Sequence, residues 1–306
     1  MTGITVVHYP AERGENWSLL RRAARARDLR LLTWQPHLLE MRLSDEQMAV
    51  CYDGRAAVPQ VLIHRTVSPF QGIVVPALAC LASQGTLVLN DPGAAFLARD
   101  KLLTAIALRG AGVPIVPTVA FDEPGEASLR ALGAAEVIIK PAHGVRGEGI
   151  QVTPLAAIPQ LAAGLRTLWD RRPQVPGHHL VREHYLAQPL IGGGGQDLRA
   201  YVVARTCVAL MRRRARPGEV RANLAQGASA SPLAVSHPAA GTAVAALAAC
   251  GLDFGGVDML EDTGGTIRVL EVDAWAGFAG ITGVTGADVA GAILDHAVAR
   301  LNGAAR

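Results

Sequence analysis

Three acidic residues in the last third of the sequence have the spacing of a metal site. Asp258 lies in one short apolar run, and Glu271 and Asp273 lie in the next, beyond a turn at residues 263–265. On a β-strand, Glu271 and Asp273 share one face, and Asp258 can face them from the neighbouring strand. Acids among apolar neighbours repel one another unless a cation lies between them. The pattern therefore predicts a site for a hard divalent ion, Mg2+ or Mn2+, against the simpler reading of solvated strand acids.

A lysine followed by a glycine-rich segment forms a second candidate group. Lys140 ends an apolar run, and Gly144, Gly147 and Gly149 follow within ten residues. Glycines let backbone N–H groups approach anionic oxygens, and the lysine adds a fixed positive charge. The lysine precedes the glycines, so this is not the P-loop pattern. The segment predicts a phosphate cradle, with a flexible hairpin turn as the alternative.

Further polar residues lie between the lysine and the acids. The segment LVREHY at 180–185 could present backbone amides and Glu183 to an adenosine. Arginine suits two-point binding of a phosphate or carboxylate, so several arginines near clustered acids predict a site that binds both metal and phosphate. A solvated basic loop and a surface ion pair are the simpler readings. The residues concerned are Asp197, Arg199, Arg213, Arg214, Arg221 and Asn223.

The elements that must position these residues fall into three groups. Strands and helices alternate over residues 1–91, which is typical of a parallel α/β unit. Its first helix is predicted at 17–26, with Asn16 as N-cap. Residues 92–177 open with one long predicted helix, 94–109, followed by short strands. Residues 178–306 contain several strands, the acidic hairpin and a terminal helix.

Composition narrows the function classes. The chain has 306 residues, is 50% hydrophobic and carries a net charge of +3, but only 4% of its residues are aromatic, which argues against a base-stacking nucleic-acid surface. Four scattered cysteines without a CxxC pair are typical of reduced thiols rather than disulfides or a zinc site. With no signal-peptide pattern and no long apolar run, we expect a cytoplasmic protein without membrane contact.

Seven segments occur in one order: ARDK, VIIKPAHGVRGEGI, VREHY, QDLRAYVV, RRARPGEVRAN, GVDMLEDTGGTIRVLEVD and ITGVTGADVAGAI. Over about residues 60–300 this series resembles the ATP-grasp ligases, and most closely their RimK-like branch. The resemblance implies a three-domain α/β (α+β) ATP-grasp fold. It would comprise an N-terminal parallel α/β domain (1–91), a small central α+β subdomain (92–177) and a C-terminal, mostly antiparallel α+β subdomain (178–306), with ATP between the last two.

The resemblance also implies roles for individual residues. The ATP phosphates would contact Lys101 and Lys140, with Gly144 and Gly147 in the adjoining loop and Arg221 and Asn223 nearby. The rest of the nucleotide would lie near Val181, Arg182, Glu183, His184, Asp197 and Arg199. Asp258, Glu271 and Asp273 would hold two Mg2+ ions, with Mn2+ as a substitute. The catalytic arginines would be Arg213, Arg214 and Arg221, close to the substrate or the acyl phosphate.

The implied activity is an ATP- and Mg2+-dependent carboxylate–amine ligase that forms an amide through an acyl phosphate. Glutamate or a similar amino acid would be added to a small-molecule, cofactor or peptide carboxylate, by a homo-oligomer (dimer or tetramer). Two alternatives stay open: a ligase that closes a ring within one small molecule, and a non-catalytic ATP-binding regulatory module. At 271–277 the chain has EVDAWAG where the family usually ends in E-V-N-x-x-P-G. Trp275 and Ala276 then replace a small residue and a proline in the loop beside the acceptor site, so the family's usual acceptor is not assumed for this chain.

Overall fold

The computed structural model describes residues 3–8, 14–65, 72–122, 125–143, 150–157, 159–160, 184–191, 195–217, 219, 222, 224 and 227–304. Four sheets and their flanking helices form the described part of the chain. None of the helices in those ranges is long and apolar enough to cross a membrane.

The N-terminal sheet is parallel, with strand order β2-β1-β6-β7. The side chains of β6 are all buried, as expected for a strand covered on both faces. A three-stranded antiparallel sheet, β3-β4-β5, is inserted between β2 and β6. The elements are β1 (Gly3–Val7), α1 (Glu15–Ala26), β2 (Arg30–Trp34), β3 (Leu39–Leu43), β4 (Met48–Tyr52), β5 (Arg55–Ala56), β6 (Val61–His64), α2 (Val74–Ser83) and β7 (Leu87–Leu89).

Two helices replace the single helix predicted over 94–109. The chain breaks at Asp100, whose backbone is extended (φ −88°, ψ 117°). Its carboxylate accepts hydrogen bonds from the N–H groups of Leu102 (2.7 Å) and Leu103 (3.0 Å), so it caps a new helix. The prediction was wrong because an aspartate that serves as an N-cap ends one helix and starts the next. The two helices are α3 (Pro92–Arg99) and α4 (Lys101–Gly110).

The central sheet is antiparallel, with strand order β10-β9-β11-β8. Its buried side chains, Val137 and Ile139 of β9 and Ala187 of β11, pack with Leu129 of a short helix. Lys140 lies near the end of β9. The elements are β8 (Val119–Phe121), α5 (Glu126–Arg130), β9 (Glu136–Pro141), β10 (Gln151–Pro154) and β11 (Tyr185–Pro189).

The C-terminal sheet is also antiparallel, with strand order β14-β13-β12-β15-β16. One face packs on the alanine-rich helix α6, and the other packs on the N-terminal sheet and the last helix. Strand β14 and helix α7 were not predicted from the sequence. The elements are β12 (Gln196–Val203), β13 (Thr206–Arg214), β14 (Ser229–Leu233), α6 (Pro238–Ala249), β15 (Phe254–Glu261), β16 (Ile267–Asp273), α7 (Ala279–Thr285) and α8 (Val289–Ala304).

Parallel pairing in the first sheet and antiparallel pairing in the others confirm the predicted mixed α/β fold class. Two asparagines join the N-terminal part of the chain to the C-terminal part. Buried Asn90 donates from Nδ2 to the carbonyl of Phe254 (2.9 Å), and its Oδ1 accepts from the N–H of the same residue (2.9 Å). The predicted N-cap of α1 was wrong, because the N-cap is Gly14 and not Asn16. The Oδ1 atom of Asn16 instead accepts a hydrogen bond from the N–H of Ala279 (2.7 Å) at the start of α7.

Candidate active site

Strand register gathers the predicted acids and arginines on one face of the C-terminal sheet. Asp258 of β15 lies directly opposite Glu271 of β16. On its other side it lies opposite Arg199 of β12. Asp197, two residues earlier on β12, lies opposite Arg213 of β13. Opposed residues point to the same face of a sheet, so four neighbouring strands contribute to one charged surface.

The arginines on this face form a continuous ion-pair network with the aspartates. Arg199 Nη1 lies 2.8 Å from both carboxylate oxygens of Asp258, and its Nη2 lies 3.9 Å from Asp273 Oδ2. Arg213 contacts Asp197 at two points, each 2.6 Å, and Asp258 Oδ2 at 3.1 Å. Burial would raise the pKa of Asp258, but the two guanidiniums outweigh burial and lower that pKa.

The lysines of the central unit face the acids of the C-terminal sheet. Burial raises the pKa of Glu271, and the negative charges of Asp258 and Asp273 add to that increase, whereas Lys101 and Lys140 oppose it. Burial lowers the pKa of Lys140 to about 8, against the attraction of Glu271. Two cations and three acids from separate units therefore act on one another in a single site, in which Lys140 is buried and the three acids are partly buried.

The donor set fits a hard divalent cation in part. Glu271 and Asp273 provide carboxylate oxygens, and their repulsion is the kind that a bound cation relieves. Both oxygens of Asp258 are occupied by Arg199. No group of three His, Cys, Asp or Glu side chains in the described ranges is assembled as a metal site. Mg2+ commonly uses one or two carboxylates together with substrate phosphates, which this arrangement allows; the three-carboxylate site stays a prediction.

The start of α4 contributes a group that the sequence analysis overlooked. Asp100 Oδ2 lies 3.3 Å from His143 Nε2 and 3.7 Å from Nε2 of the predicted nucleotide residue His184. Lys101 donates from Nζ to the Ala142 carbonyl (3.4 Å), so the helix start is joined to the end of β9. The sequence did contain a signal for this group, because Asp100 directly precedes Lys101 at the start of a predicted helix segment.

Within the described ranges, one predicted arginine is not brought into this surface. Arg214 is exposed and, as the strand neighbour of Arg213, points to the opposite face of β13. Its catalytic role stays a prediction. The remaining predicted site residues lie outside the described ranges, and their roles also stay predictions: Gly144, Gly147, Val181, Arg182, Glu183, Arg221 and Asn223.

Strand β15 contains a glycine next to Arg199 that the sequence patterns did not single out. Gly256 lies opposite Asp273, and a Cβ atom there would come within 2.7 Å of Arg199 Nη2 and 2.7 Å of Ala276 Cβ. Glycine therefore leaves the space that the Arg199 guanidinium occupies.

Lysines and acids face one another between an antiparallel central sheet and a larger C-terminal sheet, the arrangement expected of an ATP-dependent ligase of the ATP-grasp class. Residues 130–297 match the model of the RimK-like ATP-grasp domain. The chain is 30% identical over 266 residues to a probable alpha-L-glutamate ligase of Stutzerimonas stutzeri (strain A1501), covering 84% of this chain and 82% of that protein. It is 32% identical over 261 residues to a probable alpha-L-glutamate ligase of Alkalilimnicola ehrlichii, covering 84% and 80%. The chain belongs to the RimK-like ATP-grasp family and is an ATP-dependent ligase that forms C–N bonds.

Solved structures agree on the fold. The ATP-grasp ligase PsnB, complexed with its minimal precursor, aligns with a TM-score of 0.74 at 20% identity, covering 98% of this chain and 99% of that one. D-cycloserine synthetase DcsG aligns with a TM-score of 0.70 at 18% identity, with the same coverage. Another PsnB structure contains Mg and ADP. At these identities the likeness shows the fold alone.

The lowered pKa of Lys140 gives a testable pH dependence. Because an ammonium group binds phosphate and a neutral amine does not, ATP affinity should fall as pH rises through the Lys140 pKa of about 8. Between pH 7 and pH 9 we expect about a tenfold loss, measured by calorimetry without added metal. Lys140→Arg keeps its charge and should flatten this profile. An equal decline in both proteins would contradict the assignment.

Proposed function

We propose that this ligase uses Mg2+ and ATP to join glutamate, or a similar amino acid, to a carboxylate of a small molecule, cofactor or peptide. The supporting observation is that Lys101 and the buried Lys140 face Glu271 and its partly buried acidic neighbours. The two alpha-L-glutamate ligases support glutamate as the class of amine.

The proposed reaction has two steps. A carboxylate oxygen of the acceptor attacks the γ-phosphorus of ATP, so ADP leaves and an acyl phosphate forms. The amine nitrogen then attacks the acyl carbon, phosphate leaves with the electrons of the C–O bond, and the nitrogen loses a proton. No side chain needs to form a covalent bond, so the protein acts by positioning the reactants and balancing their charge.

Different residues of this chain would position the reactants and balance their charge. Lys101 and Lys140 would balance negative charge on the phosphates from the central unit. Glu271 and Asp273 would hold Mg2+, which when bound supplies positive charge to the phosphate oxygens. Arg199 and Arg213 fix the Asp258 carboxylate between them. Their fixed positions mean that little reorganisation is needed as the reaction proceeds.

The experiment is an ADP-release screen over pairs of carboxylates and amines, with products identified by mass. We expect ADP release only when both partners are present, and a product equal to their sum minus one water. ADP release with a single compound that loses one water would support ring closure. ATP binding without ADP release for any pair would support a regulatory module. Sedimentation of the same preparation tests our further proposal of a homo-oligomer.

A further inference from the structure

Side chains from the N-terminal unit hold residues 274–278, the acceptor segment that follows Asp273. Every second residue of this segment forms a backbone hydrogen bond with a side chain from a different part of the N-terminal unit. The contacts are Asn90 Nδ2 to the Ala274 carbonyl (3.2 Å), Arg65 Nη1 to the Ala276 carbonyl (3.1 Å) and the Phe278 N–H to Asn16 Oδ1 (2.8 Å). Together with Asp273, the segment departs from the family ending at Trp275 and Ala276.

The contacts come from the carboxyl edge of the parallel sheet. His64 ends β6, Arg65 follows it, and Asn90 follows β7. In open α/β sheets, ligands bind outside the carboxyl ends of the strands. The acceptor segment closes this edge from the opposite side, since the Trp275 and His64 rings meet edge to face at 5.5 Å.

A buried hydroxyl and a guanidinium lie together at this edge. Tyr201 is fully buried, and its hydroxyl lies beside Arg65, which can donate to the phenol oxygen but cannot accept the phenol proton. In the part of the chain that the structure describes, no other side chain or carbonyl accepts that proton. Burial raises the pKa of Tyr201 to about 12, although the Arg65 charge opposes that shift, so the phenol keeps its proton and can donate it. A buried hydroxyl whose proton has no acceptor is unfavourable, and a bound acceptor would satisfy it.

Arg65 has positive charge and donors to offer the same ligand. Its guanidinium stacks over the Phe278 ring (5.4 Å to the centroid) and bonds the Ala276 carbonyl. It forms no ion pair with a carboxylate in the described ranges. A guanidinium has five N–H donors in a fixed fork, so further donors stay available for an anion.

We infer that Arg65 and Tyr201 bind a free carboxylate of the incoming amino acid, with His64 and Trp275 bounding its position. This inference rests on the proposed function. Tyr201 lies two residues from Arg199 on the same face of β12, and Arg199 reaches Asp273, so a ligand at Tyr201 would lie next to the acids of the proposed metal site. A carboxylate that stays ionised throughout the reaction suits a guanidinium that is always charged.

The test compares two variants with matched controls in a glutamate-dependent ADP-release assay. Tyr201→Phe and Arg65→Lys should each raise the KM for L-glutamate about tenfold, while kcat and the KM for ATP stay within about twofold. Tyr52→Phe makes the same change at a hydroxyl bonded to the Thr33 carbonyl (3.3 Å), and Arg42→Lys changes an exposed arginine. Both controls should keep the wild-type KM for glutamate. Thermal melting checks that every variant is folded.

A binding measurement identifies the carboxylate. Calorimetry with a non-hydrolysable ATP analogue and Mg2+ would compare L-glutamate with its two monoamides, glutamine and isoglutamine. We expect one monoamide to bind about tenfold more weakly to the wild type and the difference to shrink in Tyr201→Phe. Unchanged KM values in both variants, with normal ligase activity, would overturn this site alone. Failure of every carboxylate and amine pair to release ADP would instead overturn the proposed function.

Discussion

Glu271→Gln is expected to lower kcat for ADP release by at least about 100-fold, the scale seen when one well-placed electrostatic group is lost from an active site. Glutamine keeps the size of the side chain but removes the charge that faces Lys101 and Lys140 and that would hold Mg2+. The measurement is a coupled ADP assay at saturating ATP, with a carboxylate and amine pair that releases ADP from the wild-type protein.

Stability should change in the opposite direction to activity. The pKa of Glu271 is raised in the folded protein, so the charged carboxylate disfavours the fold once pH exceeds the ordinary glutamate pKa of about 4.5. At pH 7 the neutral amide that replaces this carboxylate removes that penalty, and we expect an equal or higher melting temperature. A variant that is both inactive and less stable would indicate a structural role.

Glu261→Gln is the matched control for this substitution. Glu261 ends β15 in the same hairpin, but its side chain is 40% exposed and lies 3.6 Å from Arg212. An exposed ion pair contributes little, so both turnover and melting temperature should stay near wild type. Near wild-type turnover of Glu271→Gln would exclude this acid from the active site.

Local spacing was sufficient to predict which residues share a face. The period of two along a strand put Glu271 with Asp273 and Asp197 with Arg199, and both pairs lie on one face of the C-terminal sheet. Strand and helix alternation likewise predicted the parallel N-terminal unit. Both features depend only on residues that are close in sequence, so they can be predicted from the sequence alone.

Partner choice could not be predicted in the same way. Arg199 pairs with Asp258, 59 positions away, because the register of β12 against β15 sets them opposite. Arg65 and Asn16 reach the acceptor segment across 211 and 262 positions. Such contacts depend on how whole sheets pack, and no spacing within one element encodes that packing.

The second large effect is expected from one methyl group, in Gly256→Ala. The added Cβ would lie 2.7 Å from both Ala276 Cβ and Arg199 Nη2, closer than real Cβ atoms approach other atoms. Arg199 is the more mobile neighbour, so its guanidinium should withdraw and release Asp258 and Asp273. We expect kcat to fall at least about tenfold and the free energy of unfolding to fall by about 1–3 kcal/mol. Gly3→Ala, in β1, is the matched control because its nearest neighbour, Leu32 Cδ1, is 3.9 Å away.

A double substitution separates the two clashes at Gly256. If displacement of Arg199 causes the loss of turnover, Gly256→Ala should cost little further activity in an Arg199→Ala background, because the side chain that it displaces is already gone. If the contact with Ala276 dominates, the two losses should multiply, and Ala276→Gly should restore activity to Gly256→Ala. Wild-type turnover in both Gly256→Ala and Arg199→Ala would show that the guanidinium can leave this position without consequence. The network joining Arg199 to Asp258 would then have no part in catalysis.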